Sequence, residues 1–241
     1  LSNRLIDGVD VDDYDSLVGA FADIRPDIVV NCVGLVKQHN KSNDVISALT
    51  INSMLPHRLA KLSQAIGARF IHISTDCVFN GAKGNYKETD PSDAMDLYGK
   101  SKYIGEPTTD NSVTLRTSII GHELNGASNS LVDWFLSQHD EVNGFTNAIF
   151  SGLPTVELAD VIRNHVFEND NLAGLYHVAA RPISKYDLLG LIADVYGKQI
   201  KINPYSEFRI DRSLDGTTFQ KETGYIADNW PTLIRRMFKF G

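Results

Sequence analysis

Three short apolar runs, each bounded by turn formers and each ending in small polar residues, restrict what this chain can fold into. They are RPDIVVNCVG (residues 25–34), ARFIHIST (residues 68–75) and SVTLRTSII (residues 112–120). An apolar run without alternation marks a strand buried on both faces, as in a parallel sheet. Helical spacing fills the intervals. Residues 14–24 (YDSLVGAFADI) follow Asp12 and Asp13, either of which can serve as N-cap. Residues 44–65 read as a longer helix in which Pro56 predicts a kink, and residues 97–105 as a third. Between strand and third helix lies a loop, residues 76–95, with the turn formers Asn80-Gly81 and Gly84-Asn85. This alternation predicts an α/β fold built on a doubly wound parallel sheet with right-handed crossovers.

Beyond Gly121 the pattern changes. Residues 131–138 and 157–169 read as helices, 174–180 as a strand and 184–196 as an amphipathic helix, and Trp230-Pro231 opens a terminal helix rich in Arg and Lys. There is no internal repeat and no evident linker. A smaller α/β lobe, interleaved with the sheet, is expected over residues 121–241.

Doubly wound sheets bind ligands beyond the carboxyl ends of their strands. Asn31-Cys32-Val33-Gly34, Ser74-Thr75 and Thr117-Ser118 all fall at such ends. The segment IHISTDCVFNGAKGNYKETDPSDAMDLYGKSKYIGE adds Tyr98 and Lys102, four residues apart and therefore on one helical face. A phenol titrates near pH ~10 when free, and a neighbouring ammonium is expected to hold it lower. Thr75 would position a reacting oxygen while Tyr98 gives or takes its proton, which is equipment for alcohol–carbonyl chemistry.

Composition narrows the partners. A net charge of −7 leaves no broad basic face for nucleic acid, and no apolar run is long enough to span a membrane. Two cysteines, Cys32 and Cys77, make no disulfide framework and suit a reducing cytoplasm; they read as small buried apolar residues. The seven histidines (His39, His57, His72, His122, His139, His165 and His177) lack ligand-type spacing, so no metal is expected; His72 and His177 read as hydrogen-bonded core or boundary residues. The acidic run of residues 7–15 reads mainly as helix capping and solvated surface.

Together these segments resemble the extended short-chain dehydrogenase/reductases, and within them the dTDP-4-dehydrorhamnose reductase branch. The resemblance is carried by VDVDD, RPDIVVNCVG, INSMLPHRLAKLSQAIGARFIHISTDCVFNG, ETDPSDAMDLYGKSKYIGE, LRTSII, SGLPT and GLYHVAA. It implies a Rossmann sheet over residues 1–120 that binds NADP(H) or NAD(H), and a mainly substrate-binding lobe over residues 121–241. The implied reaction is hydride delivery to the C4 keto carbon of a nucleotide-linked 6-deoxysugar. Thr75, Tyr98 and Lys102 would be catalytic, with Lys102 also on the nicotinamide ribose. Asp10 and Val11 would lie by the adenine, Cys32, Val33 and Gly34 along the dinucleotide, and Arg116-Thr117-Ser118 beyond the nicotinamide. Ser74, Thr75, Asp76, Ile119 and Arg212 would face the nucleotide sugar. The resemblance also allows a homodimer.

Departures cluster around the substrate. Ile119 stands where these reductases usually carry Trp, Ile73 where Tyr is common, and Asp211-Arg212-Ser213-Leu214 where Asn-Ser precedes a Leu. Arg212 reads equally as a diphosphate grip, for which its planar fork is suited, and as a surface ion pair. The Gly-rich pyrophosphate turn is not found after any strand. The expectation is that a first βαβ unit, roughly 50–60 residues, is missing ahead of Leu1, and that its loss leaves two half-sheets. Two other activities stay open. A sugar-nucleotide epimerase or dehydratase uses the same triad, although a dehydratase would add a second acid where Asp76-Cys77 stands. A reductase-like regulatory subunit, such as that of methionine adenosyltransferase, needs no catalysis.

Overall fold

The computed structural model describes residues 8–36, 44–123 and 130–241. His39 and Asp7 lie outside the described residues. The chain divides into two compact units, each assembled from separated segments. The first comprises Leu1–Val78, Ala94–Leu115 and Ala173–Leu175; the second comprises Phe79–Asp93, Arg116–Leu172 and Tyr176–Gly241.

In the first unit, helix α1 (Tyr14–Ile24) is capped by Asp13, whose carboxylate accepts from the Asp15 amide, and ends at Arg25 with φ 46°. Strand β1 (Ile28–Asn31) is shorter than its apolar run. It stops because the Asn31 side chain turns back to accept from the Val33 amide at 3.0 Å, a local bond that competes with the sheet ladder. Nor is β1 buried on both faces. Val29 packs toward α1, whereas Val30, pointing the other way, stays 38% exposed.

The helix expected over residues 44–65 is interrupted. Asp44 caps α2 (Val45–Ala48), a π-helical turn covers Leu49–Met54, and α3 (Leu55–Ala65) carries Pro56 in its first turn. Pro56 has no N–H for the Asn52 carbonyl and its ring would crowd that oxygen in an α-helix. A widened turn relieves the conflict. Strand β2 (Arg69–Thr75) then pairs in parallel with β1, from Ile28↔Arg69 to Asn31↔His72. Leu17, Phe21, Ile51, Leu55, Leu59, Ala60 and Phe70 close the core between α1, α3 and the sheet. Each of the Leu, Ile and Phe side chains contributes about 1.5–3 kcal/mol on burial, and Ala60 less. Helix α4 (Leu97–Ile104), capped by Asp96, completes the part of this unit that bears chemistry.

The run at residues 112–120 splits into β3 (Ser112–Thr117) and β4 (Ile119–Ile120), which lie in different sheets. Ser118 marks the break, its carbonyl accepting from the Leu153 amide at 2.8 Å. The central sheet is parallel and Rossmann-like, with strand order β1-β2-β3-β7, where β7 is Gly174–His177. It is one run, not two half-sheets, because each successive described strand adds on the same side.

The second unit holds α5 (Leu131–Ser137), β5 (Glu141–Phe150), β6 (Leu153–Pro154), α6 (Thr155–Val161) running into a π-helical turn at Ile162–Val166, β8 (Ile183–Ser184), α7 (Lys185–Tyr196), β9 (Lys201–Asp211), α8 (Thr217–Thr223) and α9 (Trp230–Phe240). Strands β5 and β9 escape sequence reading. Asn143, Gly144 and Asn203-Pro204 look like turn formers, yet Gly144 pairs with Pro204 in a parallel ladder with a register shift between Phe145 and Asn147. Phe135, Leu153, Leu188, Leu189, Ile192, Leu233 and Ile234 are fully buried in this unit. No described helix is long and apolar enough to cross a membrane.

Candidate active site

Strand β2 ends in Ile73-Ser74-Thr75, and helix α4 begins beyond the intervening loop. Helix α4 can lie unusually near its neighbours because it is glycine at both contact points. A β-carbon at Gly99 would run into the Cys77 carbonyl oxygen and stand 2.6 Å from the Ala94 side chain. One at Gly105 would run into the Asn52 carbonyl oxygen, the group that Pro56 cannot bond. The Asn52 side chain faces two ways. Its Oδ1 accepts from the Leu35 amide at 2.9 Å, and its Nδ2 donates to the Leu35 carbonyl and to Ser101 Oγ, both at 3.1 Å. The chain after β1 is thereby tied to α4.

This approach brings Thr75 and Tyr98 together. The Thr75 hydroxyl lies near enough to Tyr98 to favour its ionised form, and Thr75 Oγ1 donates to Asp76 at 3.2 Å and accepts from the Cys77 amide at 3.1 Å. One turn along α4, Lys102 is 5% exposed and its Nζ donates to the Ile73 carbonyl at 2.8 Å. Burial pulls the lysine down to about 8, opposed by the charges of Glu106 and Cys32. The phenol moves the other way from the expectation. Burial pushes Tyr98 above its ordinary value, the charges of Cys77, Asp76 and Asp96 add to this, and only the Thr75 hydroxyl opposes. The ammonium spends its bond on a backbone carbonyl, so desolvation dominates the phenol.

Ser74 Oγ donates to Glu106 Oε1 at 2.6 Å. Cys32, Val33 and Gly34 follow β1 and are all exposed. Cys32 and Cys77 are free thiols, and Cys32 is not the buried residue its apolar run suggests. Gly34 forms a cradle: a β-carbon there would stand 3.4 Å from Asn52 Oδ1 and 3.8 Å from Lys102 Nζ. Asp10 and Val11 precede helix α1. The Asp10 carboxylate accepts from the Asp12 amide at 2.9 Å, and Val11 packs on the α1 core. His72 is fully buried, its Nδ1 accepting from Asn31 Nδ2 at 3.1 Å, and burial holds it well below the usual imidazole range.

The remaining sequence candidates belong to the second unit. Arg116 is 2% exposed, 5.2 Å from the Phe79 ring centroid and 3.4 Å from His177 Nε2. It reads there as a core residue. His177 is also core: its Nδ1 lies 3.0 Å from the Tyr86 carbonyl. Ile119 is 51% exposed. Arg212 Nε donates to the Phe79 carbonyl at 2.7 Å, an anchor that sequence reading did not anticipate. Asn52, Ser101 and Glu106 were missed as well. For Glu106 a signal existed, since it falls four residues after Lys102.

Comparison with known proteins shows what the chain as a whole is similar to. Over 205 residues the chain is 34% identical to the spore coat polysaccharide biosynthesis protein SpsK of Bacillus subtilis, covering 80% of this chain and 70% of that protein. A dTDP-4-dehydrorhamnose reductase of Burkholderia thailandensis is 35% identical over 101 residues, covering 42% of this chain and 34% of the reductase. The dTDP-4-dehydrorhamnose reductase of Bacillus anthracis, solved in complex with NADP, superposes with a TM-score of 0.85 at 22% identity, over 97% of this chain and 87% of that one. The family described as the RmlD substrate binding domain matches residues 4–238, and the chain belongs to it.

Proposed function

We propose that this chain is an NAD(P)H-dependent oxidoreductase that reduces the C4 keto group of a nucleotide-linked 6-deoxysugar. The observation that carries the reading is Thr75 beside Tyr98 with buried Lys102 one turn away, in a chain of this family. The reduced nicotinamide, when bound, supplies a hydride to the carbonyl carbon. Gly34 supports the fit, because its missing side chain leaves a flat approach beside Asn52 and Lys102.

Thr75 orients the carbonyl oxygen, and Tyr98 delivers the proton that completes the alcohol. The raised pKa of Tyr98 keeps the phenol protonated at neutral pH, the form a reductase needs at the start of turnover. Lys102 supplies positive charge beside Gly34, where it would hold the nicotinamide ribose. Ser74 and Asp76 of the first unit and, taken separately, Ile119 and Arg212 of the second are the proposed substrate contacts. The Phe79 carbonyl fixes the Arg212 guanidinium, which suits a planar grip on a diphosphate. An exposed Ile119 in place of a flat indole changes the sugar surface, so the preferred sugar need not be dehydrorhamnose. The reading sets the reaction in the cytoplasm, in keeping with two free thiols, and includes a homodimer that sedimentation velocity tests.

The test is a panel of dTDP- and UDP-linked 4-keto-6-deoxysugars with NADPH or NADH, followed by loss of cofactor absorbance. Turnover of at least one sugar is expected. No turnover on any, together with tight association to a partner enzyme, would replace this reading with a regulatory subunit.

A further inference from the structure

Two adjacent residues of β2 are each bonded to α4 or its immediate extension. The Ile73 carbonyl receives Lys102 Nζ at 2.8 Å, and Ser74 Oγ reaches Glu106 Oε1 at 2.6 Å. Glu106 follows the helix cap Gly105 and keeps the turn through its own amide, which donates to the Tyr103 carbonyl at 3.2 Å. Its carboxylate therefore stands one turn beyond the ammonium, pinned to the strand. Lys102 is 5% exposed and Glu106 is half-buried, so solvent screens the interaction between their charges only in part. Among the described residues, Tyr98 lies one turn before Lys102 and stays protonated, and the other titratable groups tied to Lys102 electrostatically can be named. They are Glu106 after its own helix, the Cys32 thiol after β1, and the buried His72 in β2, with His57 of α3 also acting on His72. His72 is neutral, and the thiol, although exposed at its surface, is partly desolvated, which raises it against the opposing charge of Lys102. Glu106 is left as the standing negative charge in that set.

We propose that Glu106 is a positioning residue that, through Ser74 and through its own charge, keeps the Lys102 ammonium charged and in place for the cofactor. The assignment rests on the reading of Lys102 as the cofactor-binding lysine, but its first test needs neither cofactor nor substrate. Direct NMR titration of 13Cε-labelled lysine, with Lys102→Met assigning the resonance, follows the ammonium in the chain itself. The parent should titrate near 8. Glu106→Gln keeps an acceptor for Ser74 but loses the charge, and should lower the midpoint by about one pH unit. Glu106→Asp, which retains the charge, should titrate within roughly 0.3 units of the parent.

NADPH binding gives a second readout. At pH 8 a one-unit drop cuts the charged fraction from one half to about one tenth, so affinity in Glu106→Gln should fall roughly fivefold, with near parity at pH 6.5. An unmoved Lys102 midpoint in Glu106→Gln overturns the proposal. So does an equal drop in Glu106→Asp, or an affinity loss that is the same at every pH. If the midpoint moves while no 4-keto sugar turns over, the positioning role stands and the proposed reaction falls.

Discussion

Replacing Gly99 by Ala sets two known effects against each other at one atom. In an open helix the change stabilises by about 1 kcal/mol, since Ala has the higher helix propensity. At Gly99 the new β-carbon would stand 2.6 Å from the Ala94 side chain and nearer still to the Cys77 carbonyl oxygen. Carbon atoms rest at about 3.5–4.0 Å, so α4 must retreat by roughly 1 Å. Overpacking of this kind costs about 1–3 kcal/mol, and a backbone obstacle places it at the upper end. The net loss of about 1–2 kcal/mol corresponds to a melting temperature lower by roughly 2–8 °C for a chain of this size. Cys77 donates its amide to Thr75 Oγ1, so the shift also loosens Thr75 from Tyr98. A displacement near 1 Å should lower kcat by about 10–100-fold. Gly190 in α7 is the control: nothing lies within 4 Å of its would-be β-carbon, so Gly190→Ala should stabilise by up to about 1 kcal/mol. Paired thermal melts and initial rates decide the matter. A Gly99→Ala protein that melts at or above the parent, or that keeps its kcat, refutes the close-approach argument.

Tyr98→Phe should retain NADPH affinity and lose about 10²–10⁴-fold in turnover, read from binding isotherms and single-turnover rates; an undiminished rate removes Tyr98 as the acid. Lys102→Met should abolish reduction yet raise the melting temperature at pH 7, because the folded chain hides a charge that burial pulls to about 8. Between pH 8 and the ordinary lysine range the unfolded chain binds more protons, so the parent gains stability there and the advantage of the Met variant should shrink. Asp133 titrates below its ordinary value: burial raises it, but hydrogen bonds from the Glu123 amide, His122 and Ser130 outweigh that. Stability from these bonds is present above the ordinary Asp range and is lost as pH falls through it. Asp133→Asn should therefore flatten the acid limb of a melt-versus-pH series.

The placement of Thr75, Tyr98 and Lys102 in one candidate site was legible because it depends on helical spacing and strand ends, which periodicity reports directly. Tyr98 and Lys102 follow from four-residue spacing, and Ser74-Thr75 from the end of an apolar run. The supporting contacts were not legible, because Asn52 reaches Leu35 and Ser101 only across a tertiary contact. The direction of the Tyr98 shift was misjudged for the same reason: spacing locates an ammonium but not the Ile73 carbonyl that claims it. Strands β5 and β9 were hidden by Gly144 and Pro204, residues whose local preference is overridden by pairing across a long interval of sequence. The split of residues 112–120 depends on the Ser118 carbonyl finding the Leu153 amide, a partner that local pattern cannot announce.

The widened turn at Leu49–Met54 also bears on how this scaffold tolerates insertions and deletions. Each residue of an α-helix advances the azimuth by about 100°, so excising one residue to restore regular coiling would swing the preceding segment by that angle relative to α3. Asn52 could then no longer grip Leu35 and Ser101 at once. In this stretch, length is therefore held as tightly as side-chain identity, and substitution should be accommodated far more readily than a change of frame.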